Sequence, residues 1–216
     1  MAQIFTDRIE AGRLLADQVA ALQLPSPAVL ALPRGGVPVA AEVAWRLQAP
    51  LDLLIVRKIG LPWHPELAVA ALVDADPPVL VTDEQIMALT NTSRAHVEAR
   101  AQVEALEIAR RRELYLQGRQ PVALQRRSVI LVDDGIATGT TVRAALKALR
   151  ERQPAALVLA VPVAAPSTAE ALRPEVDELV CLLQPPEFQA VGAYYRDFHQ
   201  VSDEEVIAVL RQTAGI

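Results

Sequence analysis

The chain is 216 residues long, 52% apolar and formally −5 at neutral pH; it is long enough for one domain with a large core, and its acidic balance argues against nucleic acid or an anionic membrane as the primary partner. A single cysteine excludes an internal disulfide framework and a multi-thiolate metal site. Met1 to Arg8 lack the apolar core of a secretory signal, and no apolar run reaches the ~18 residues of a membrane span, the longest (Ala155 to Ala165) being interrupted by Pro162, so a soluble cytoplasmic protein without membrane association is expected.

Asp7 and Glu10 have the spacing of a capping box and open a predicted helix running to about Leu24. Ile9, Leu14, Leu15, Val19 and Leu22 give that helix one apolar face. Ala28 to Leu32, bounded by prolines, reads as a short buried strand. Pro33-Arg34-Gly35-Gly36 is a turn, Val37 to Gln48 a helix and Leu51 to Val56 a second strand. Gly60 to Glu66 is a stiff connector in which His64 reads as a surface residue. Leu67 to Val73 and Val79 to Thr82 are further strands around a turn at Asp76-Pro77-Pro78. Asp83 to Leu89 is a short helix, and Ser93 to about Gln117 a long charged one. The pairs Arg94–Glu98, Arg100–Glu104 and Glu107–Arg111 sit at i,i+4 spacing, which predicts a solvated face.

Ser128 to Val132 is a strand, Thr140 to Arg152 a helix, Ala155 to Val161 a strand, Ser167 to Leu172 a helix and Val176 to Leu182 a strand. The tail from Gln184 is rich in aromatics and ends in a helix opened by a second capping box, Ser202 and Glu205. Its acids Asp203-Glu204-Glu205 suit a helix N-terminus. Strands alternating with helices imply a parallel sheet covered on both faces. Ligands of such sheets bind beyond the carboxyl ends of the strands. Two turns stand at such ends, after Leu32 and after Val132.

The most informative stretch is Val129-Ile130-Leu131-Val132-Asp133-Asp134-Gly135-Ile136-Ala137-Thr138-Gly139-Thr140-Thr141. An apolar strand runs into two carboxylates, then into a small-residue loop and a helix. Backbone N–H groups at such a turn, with the positive end of the helix dipole, make an anion cradle. Gly135 and Gly139 allow close approach of the backbone, and three Thr hydroxyls add donors. Carboxylates beside a phosphate cradle repel phosphate unless they hold sugar hydroxyls or help to place a magnesium ion. Pro33-Arg34-Gly35-Gly36 adds free backbone N–H groups and a guanidinium fork for phosphate oxygens. Arg57 and Lys58, following the second strand, are two further cations. No Gly-x-x-x-x-Gly-Lys-Ser/Thr or Gly-x-Ser-x-Gly run is present, against a P-loop ATPase and an α/β-hydrolase. His64, His96 and His199 have no metal-ligand spacing.

The Asp133 to Thr141 segment resembles the phosphoribosyl pyrophosphate motif of the type I phosphoribosyltransferases. The resemblance implies a parallel sheet with helices on both faces and a small hood. The chain is then a single domain over 1–216, with the hood drawn from 184–216, the 83–120 helical segment, or both. It implies transfer of ribose 5-phosphate from phosphoribosyl pyrophosphate, with Mg2+, to a base or amine, releasing pyrophosphate. Asp133 and Asp134 would be the catalytic and metal-placing pair. Ala137, Thr138, Gly139, Thr140 and Thr141 would cradle the 5-phosphate, with Gly135 and Ile136 as further substrate-binding residues. Arg34, Gly35, Gly36, Arg57 and Lys58 would take the pyrophosphate. It further implies a loop at Gly60 to Glu66 closing over the substrate, and a homodimer. A nucleotide-sensing protein of the same fold is the alternative. The cluster Arg110, Arg111, Arg112, Arg119, Arg126 and Arg127 would be its RNA face, but interleaved glutamates favour a solvated helix.

Overall fold

A computed structural model describes residues 4–61, 63–75 and 77–213. In chain order the elements are α1 (Arg8–Ala20), β1 (Pro27–Ala31), α2 (Gly36–Leu47), β2 (Leu51–Leu53), β3 (Val56–Leu61), β4 (His64–Val73), β5 (Val79–Thr82), α3 (Glu84–Thr90), α4 (Arg94–Leu116), β6 (Ser128–Val132), α5 (Thr140–Glu151), β7 (Ala156–Val163), α6 (Pro166–Leu172), β8 (Glu178–Leu183) and α7 (Asp203–Gln212). Five strands form one parallel sheet in the order β2-β1-β6-β7-β8, and β3-β4-β5 form a separate antiparallel sheet.

Alternation along the parallel strands divides the core between two faces. Val29, Ala31, Ile130, Val132, Val158 and Ala160 pack with Leu15 and Val19 of α1, Val43 of α2 and Leu210 of α7. Leu30, Leu131, Leu157 and Leu159 face the other way, onto Leu146 and Leu149 of α5 and Leu172 of α6. Ala71 and Val73 of β4 join that second cluster, so the small sheet is seated against α5. Pro162 lies inside β7 at no cost to the ladder between β6 and β7. Their pairing ends at Val132↔Ala160, before the missing N–H begins to matter.

Several expectations are corrected. α1 ends at Ala20, not near Leu24. Ile9 and Leu14 are 44% and 41% exposed, whereas Arg8 is 6% exposed, so the inward face is rotated toward a charge. Asp7 caps α1 through the Glu10 N–H, but the Glu10 carboxylate accepts from the Thr6 N–H rather than closing the box. The strand expected over Leu51 to Val56 divides into β2 and the start of β3, because the chain leaves the parallel sheet for the antiparallel one. Much of the expected connector is strand: β3 runs to Leu61 and β4 starts at His64. Pro62 of that connector and Asp76 of the expected turn lie outside the described residues.

The face of α4 expected to be solvated is only partly so. Its three i,i+4 pairs are formed, but Glu104 is buried, held by Arg57 of β3 at 2.8 Å and by Arg100 at 3.1 Å. Arg112 likewise turns inward, to Asp74. Cations on the small sheet and acids beyond it supply what the helix pattern alone does not reveal.

Leu159 is fully buried on the central part of β7. Leu159→Ala is expected to cost about 3 kcal/mol, read as a lower urea midpoint with an unchanged slope.

Candidate active site

β6 ends at Val132, and the chain crosses from it toward the end of β7. Ile136 is stapled there: its N–H donates to the Val163 carbonyl at 2.9 Å, and its carbonyl accepts from the Ala165 N–H at 3.0 Å. Gly139 then takes a left-handed conformation, φ +74°, and caps α5 without a side-chain bond. That backbone suits glycine. Among the described residues, no hydrogen bond engages the backbone N–H groups of Ala137 to Thr141. Thr138 and Thr140 are exposed. A loop of free donors at the N-terminus of α5 is an anion cradle. Gly135 is small for another reason: a Cβ there would lie 2.5 Å from Val191 of the tail.

The second loop comes from β1. Leu32 donates to the Val132 carbonyl at 2.9 Å, which carries the pairing of β1 and β6 one residue past their ends. The Pro33–Arg34 peptide is cis, and α2 starts at Gly36. Gly35 sits at φ −60°, where any residue is comfortable, so its smallness serves space rather than conformation. A Cβ on Gly35 would overlap Asp134 Oδ2, and one on Gly36 would lie 2.8 Å from the Val132 carbonyl. The two loops that the sequence singled out are therefore in direct contact, backbone against carboxylate.

The acidic pair is half-buried. Asp133 Oδ1 accepts from the Asp134 N–H at 2.9 Å. Burial pushes the Asp133 carboxyl well above its ordinary range, and the neighbouring Asp134 charge adds to the rise. Burial raises Asp134 as well, against the opposing pull of Arg8. Arg8 Nε donates to Asp134 Oδ2 at 2.8 Å, with both side chains largely covered (7% and 14% exposed). Arg8 Nη1 donates to the His199 carbonyl at 2.9 Å, and its guanidinium carbon lies 3.9 Å from the Phe198 ring centroid. Tyr195 Oη donates to the Asp134 carbonyl at 2.6 Å. Sequence reasoning missed Arg8. The available signal was a cation in the first turn of a helix, where the dipole disfavours it.

The other expected residues are dispersed. Arg34 leans toward α7, 3.5 Å from Asp203, and Asp203 also accepts from Tyr115 Oη at 2.7 Å. Burial and that hydrogen bond push Tyr115 up to about 12. Arg57 lies on β3, tied to Glu104. Lys58 is exposed on the same strand, with no ion pair to it among the described residues. His64 is exposed. The tail aromatics pack on one another and on the N-terminal segment, Tyr195 against Phe198 at 5.0 Å and against Phe5 at 5.4 Å. A cavity of about 760 Å³ opens at the far end of α5, beside Asp74 and Arg112, and touches no motif residue.

No group of three or more His, Cys, Asp or Glu fit to hold a metal occurs among the described residues. Two adjacent carboxylates beside a phosphate cradle do fit magnesium. That ion is commonly held by one or two carboxylates, with the substrate's phosphates and water completing the shell.

The family model of the phosphoribosyl transferase domain matches residues 6–197. Two Mycobacterium tuberculosis proteins, provisionally named phosphoribosyl transferases, are each 44% identical over 208 residues, covering 96% of this chain and 46% of theirs. The chain thus spans about half the length of the curated relatives it matches. The crystal structure of TT1426 from Thermus thermophilus superposes with a TM-score of 0.86 at 44% identity, over 99% of this chain and 100% of that one. A Neisseria gonorrhoeae protein crystallised with ppGpp shares the fold alone, with a TM-score of 0.53 at 13% identity over 97% and 96% of the two chains. This chain belongs to the phosphoribosyl transferase domain family.

Proposed function

We propose that the chain binds phosphoribosyl pyrophosphate with magnesium and transfers ribose 5-phosphate to a base or amine, releasing pyrophosphate. The observation that carries this reading is the contact between the Gly35 backbone and the Asp134 carboxylate. It brings an anion cradle, an acidic pair and a second, Arg-bearing loop side by side, which suits a ligand that carries a 5-phosphate, a ribose and a pyrophosphate. Ala137 to Thr141 receive the 5-phosphate on free N–H groups and hydroxyls, with Gly135 and Ile136 shaping the turn before them. Arg34 and Gly35 receive the pyrophosphate, Gly36 leaving room for the close approach of the two loops, and Lys58 is a further cation from the small sheet; Arg57 is held by Glu104. Asp133 and Asp134 accept from the ribose hydroxyls and help to hold magnesium, which when bound supplies charge neutralisation to the pyrophosphate.

Charge explains why acids belong here. As the bond from C1 to the pyrophosphate oxygen breaks, positive charge grows on the sugar ring. Fixed negative charge nearby favours that state. The leaving oxygens gain negative charge, which the Arg34 fork and the Gly35 N–H would meet; the Gly36 N–H is committed to the Leu32 carbonyl at 3.1 Å. No covalent nucleophile is needed. Cytoplasmic location and a homodimer belong to the same proposal. No helix among the described residues is long and apolar enough to cross a membrane.

The decisive experiment is calorimetric titration of phosphoribosyl pyrophosphate with and without magnesium. Tight binding that requires magnesium is expected, and the double variant Asp133→Asn/Asp134→Asn should lose it while its circular dichroism stays native. No binding at millimolar ligand would discard the reading and turn attention to nucleoside monophosphates, the ligands of a sensing protein.

Gly35→Ala offers an independent check. Its methyl group would collide with Asp134 Oδ2, so the loops must part. Affinity for the magnesium complex should fall at least about tenfold. An affinity equal to wild type would remove the loop contact from the site.

A further inference from the structure

We propose that Arg8 is a positioning residue of the site: it pins the Asp134 carboxylate against Gly35, so that the acidic pair and the pyrophosphate loop form one wall. The inference rests on reading the cleft as a phosphoribosyl pyrophosphate site, and assigns that reading a residue from outside both motif loops.

The geometry leaves Asp134 little freedom. Its Oδ2 is bonded to Arg8 Nε at 2.8 Å on one side and abuts the Gly35 α-carbon on the other. Its backbone N–H is bonded to Asp133 Oδ1 and its carbonyl is capped by Tyr195 Oη. Without Arg8, the carboxylate would have an empty side toward which to rotate, away from the crowded contact with Gly35. A buried carboxylate that loses the guanidinium paired with it also gains every incentive to move toward water.

Arg8 itself is fixed by two contacts besides Asp134, and the second is braced in turn. Nη1 donates to the His199 carbonyl, the guanidinium covers the Phe198 ring, and Phe198 stacks on Tyr195. The segment before Arg8 is sewn to the tail. Phe5 N–H donates to the Tyr194 carbonyl, the Phe5 carbonyl accepts from Arg196 N–H, and the Thr6 carbonyl accepts from Asp197 N–H. Phe5 is 1% exposed. An arginine held this firmly is a fixed post. Its planar fork serves two acceptors at once, which a lysine ammonium on a flexible stem matches less well.

A positioning role and a merely structural one differ in which ligands they touch. The phosphate cradle of Ala137 to Thr141 is built on α5 and β7, and among the described residues no hydrogen bond joins it to Arg8. Three probes separate the parts: inorganic phosphate reads the cradle, ribose 5-phosphate reads the cradle plus the acidic pair, and phosphoribosyl pyrophosphate with magnesium reads the whole wall. In Arg8→Met, ribose 5-phosphate and the magnesium complex are expected to bind at least about tenfold more weakly, with inorganic phosphate binding as in wild type. Arg8→Lys, which keeps the charge and so guards against a failure to fold, should recover part of that loss. In spectra of 15N-labelled protein, the Arg8 Nε–H should give a protected signal, assigned by its disappearance in Arg8→Met and displaced in Asp134→Asn.

Equal weakening of phosphate and ribose 5-phosphate in Arg8→Met would make Arg8 a structural residue and overturn the inference. Unchanged ribose 5-phosphate affinity would overturn it too. A wild-type protein that binds ribose 5-phosphate but not the magnesium complex would refute the proposed function, while the ribose 5-phosphate comparison would still decide the role of Arg8.

Discussion

The site depends on the parallel pairing of β1 with β6. Ala31 lies opposite Val132 in that ladder, and Leu32 bonds the Val132 carbonyl just beyond it. Two strands about 4.8 Å apart end at the same level, so the loops leaving them compete for one volume. The competition is resolved by removing side chains from one loop, at Gly35 and Gly36, and placing carboxylates in the other. Any larger residue at Gly35 displaces Asp134, because the missing Cβ has nowhere else to go. Each loop is thus a boundary condition for the other, and neither glycine nor carboxylate has meaning alone.

Electrostatics follows from that crowding. Buried like charges on successive residues are costly, and the fold meets the cost with Arg8 on one side only. Asp133 is left with the Asp134 N–H as its recorded partner. A site with more negative charge than its own cations balance is suited to a ligand that brings a metal ion. The remaining cations are already engaged. Arg34 is 3.5 Å from Asp203, and both side chains are substantially exposed, so that pair is weak and readily exchanged for phosphate oxygens. Arg57 holds the covered Glu104 at 2.8 Å, and releasing it would leave a buried acid dependent on Arg100 alone. Of the two arginines, Arg34 is the one the structure leaves free to serve an anion.

What was legible in the sequence was what local chemistry dictates. The motif strand, its loop and the following helix read correctly, because four apolar residues, two acids and Gly139 leave few other conformations. The parallel sheet followed from alternation of strands with helices. The small sheet was only half visible. Leu67 to Val73 and Val79 to Thr82 read as strands, but Gly60 and the surrounding prolines hid the continuation of β3 to Leu61 and the early start of β4 at His64. Arg8 was hidden differently. Periodicity assigned Ile9 and Leu14 to the buried face of α1, whereas the helix turns Arg8 inward because Asp134, 126 positions away, is waiting for it. Glu104 and Arg112 were misread in the same way: a helical charge pattern shows which residues neighbour one another along α4, not which acids and cations approach from β3 or from Asp74.

The tail completes this reasoning. Phe5, Tyr195 and Phe198 satisfy one another at ring distances of 5.4 and 5.0 Å, and Tyr195 spends its hydroxyl on the Asp134 carbonyl. Packing is therefore how the tail serves the site. The N-terminal segment and the tail close on each other, and the residues they deliver to the closure are Arg8 and Tyr195, one for the side chain of Asp134 and one for its backbone. An acidic residue placed at the end of a strand by a local motif is thus held in register by segments from the two extremes of the described chain. That arrangement couples the shape of the ligand site to the folding of the whole domain.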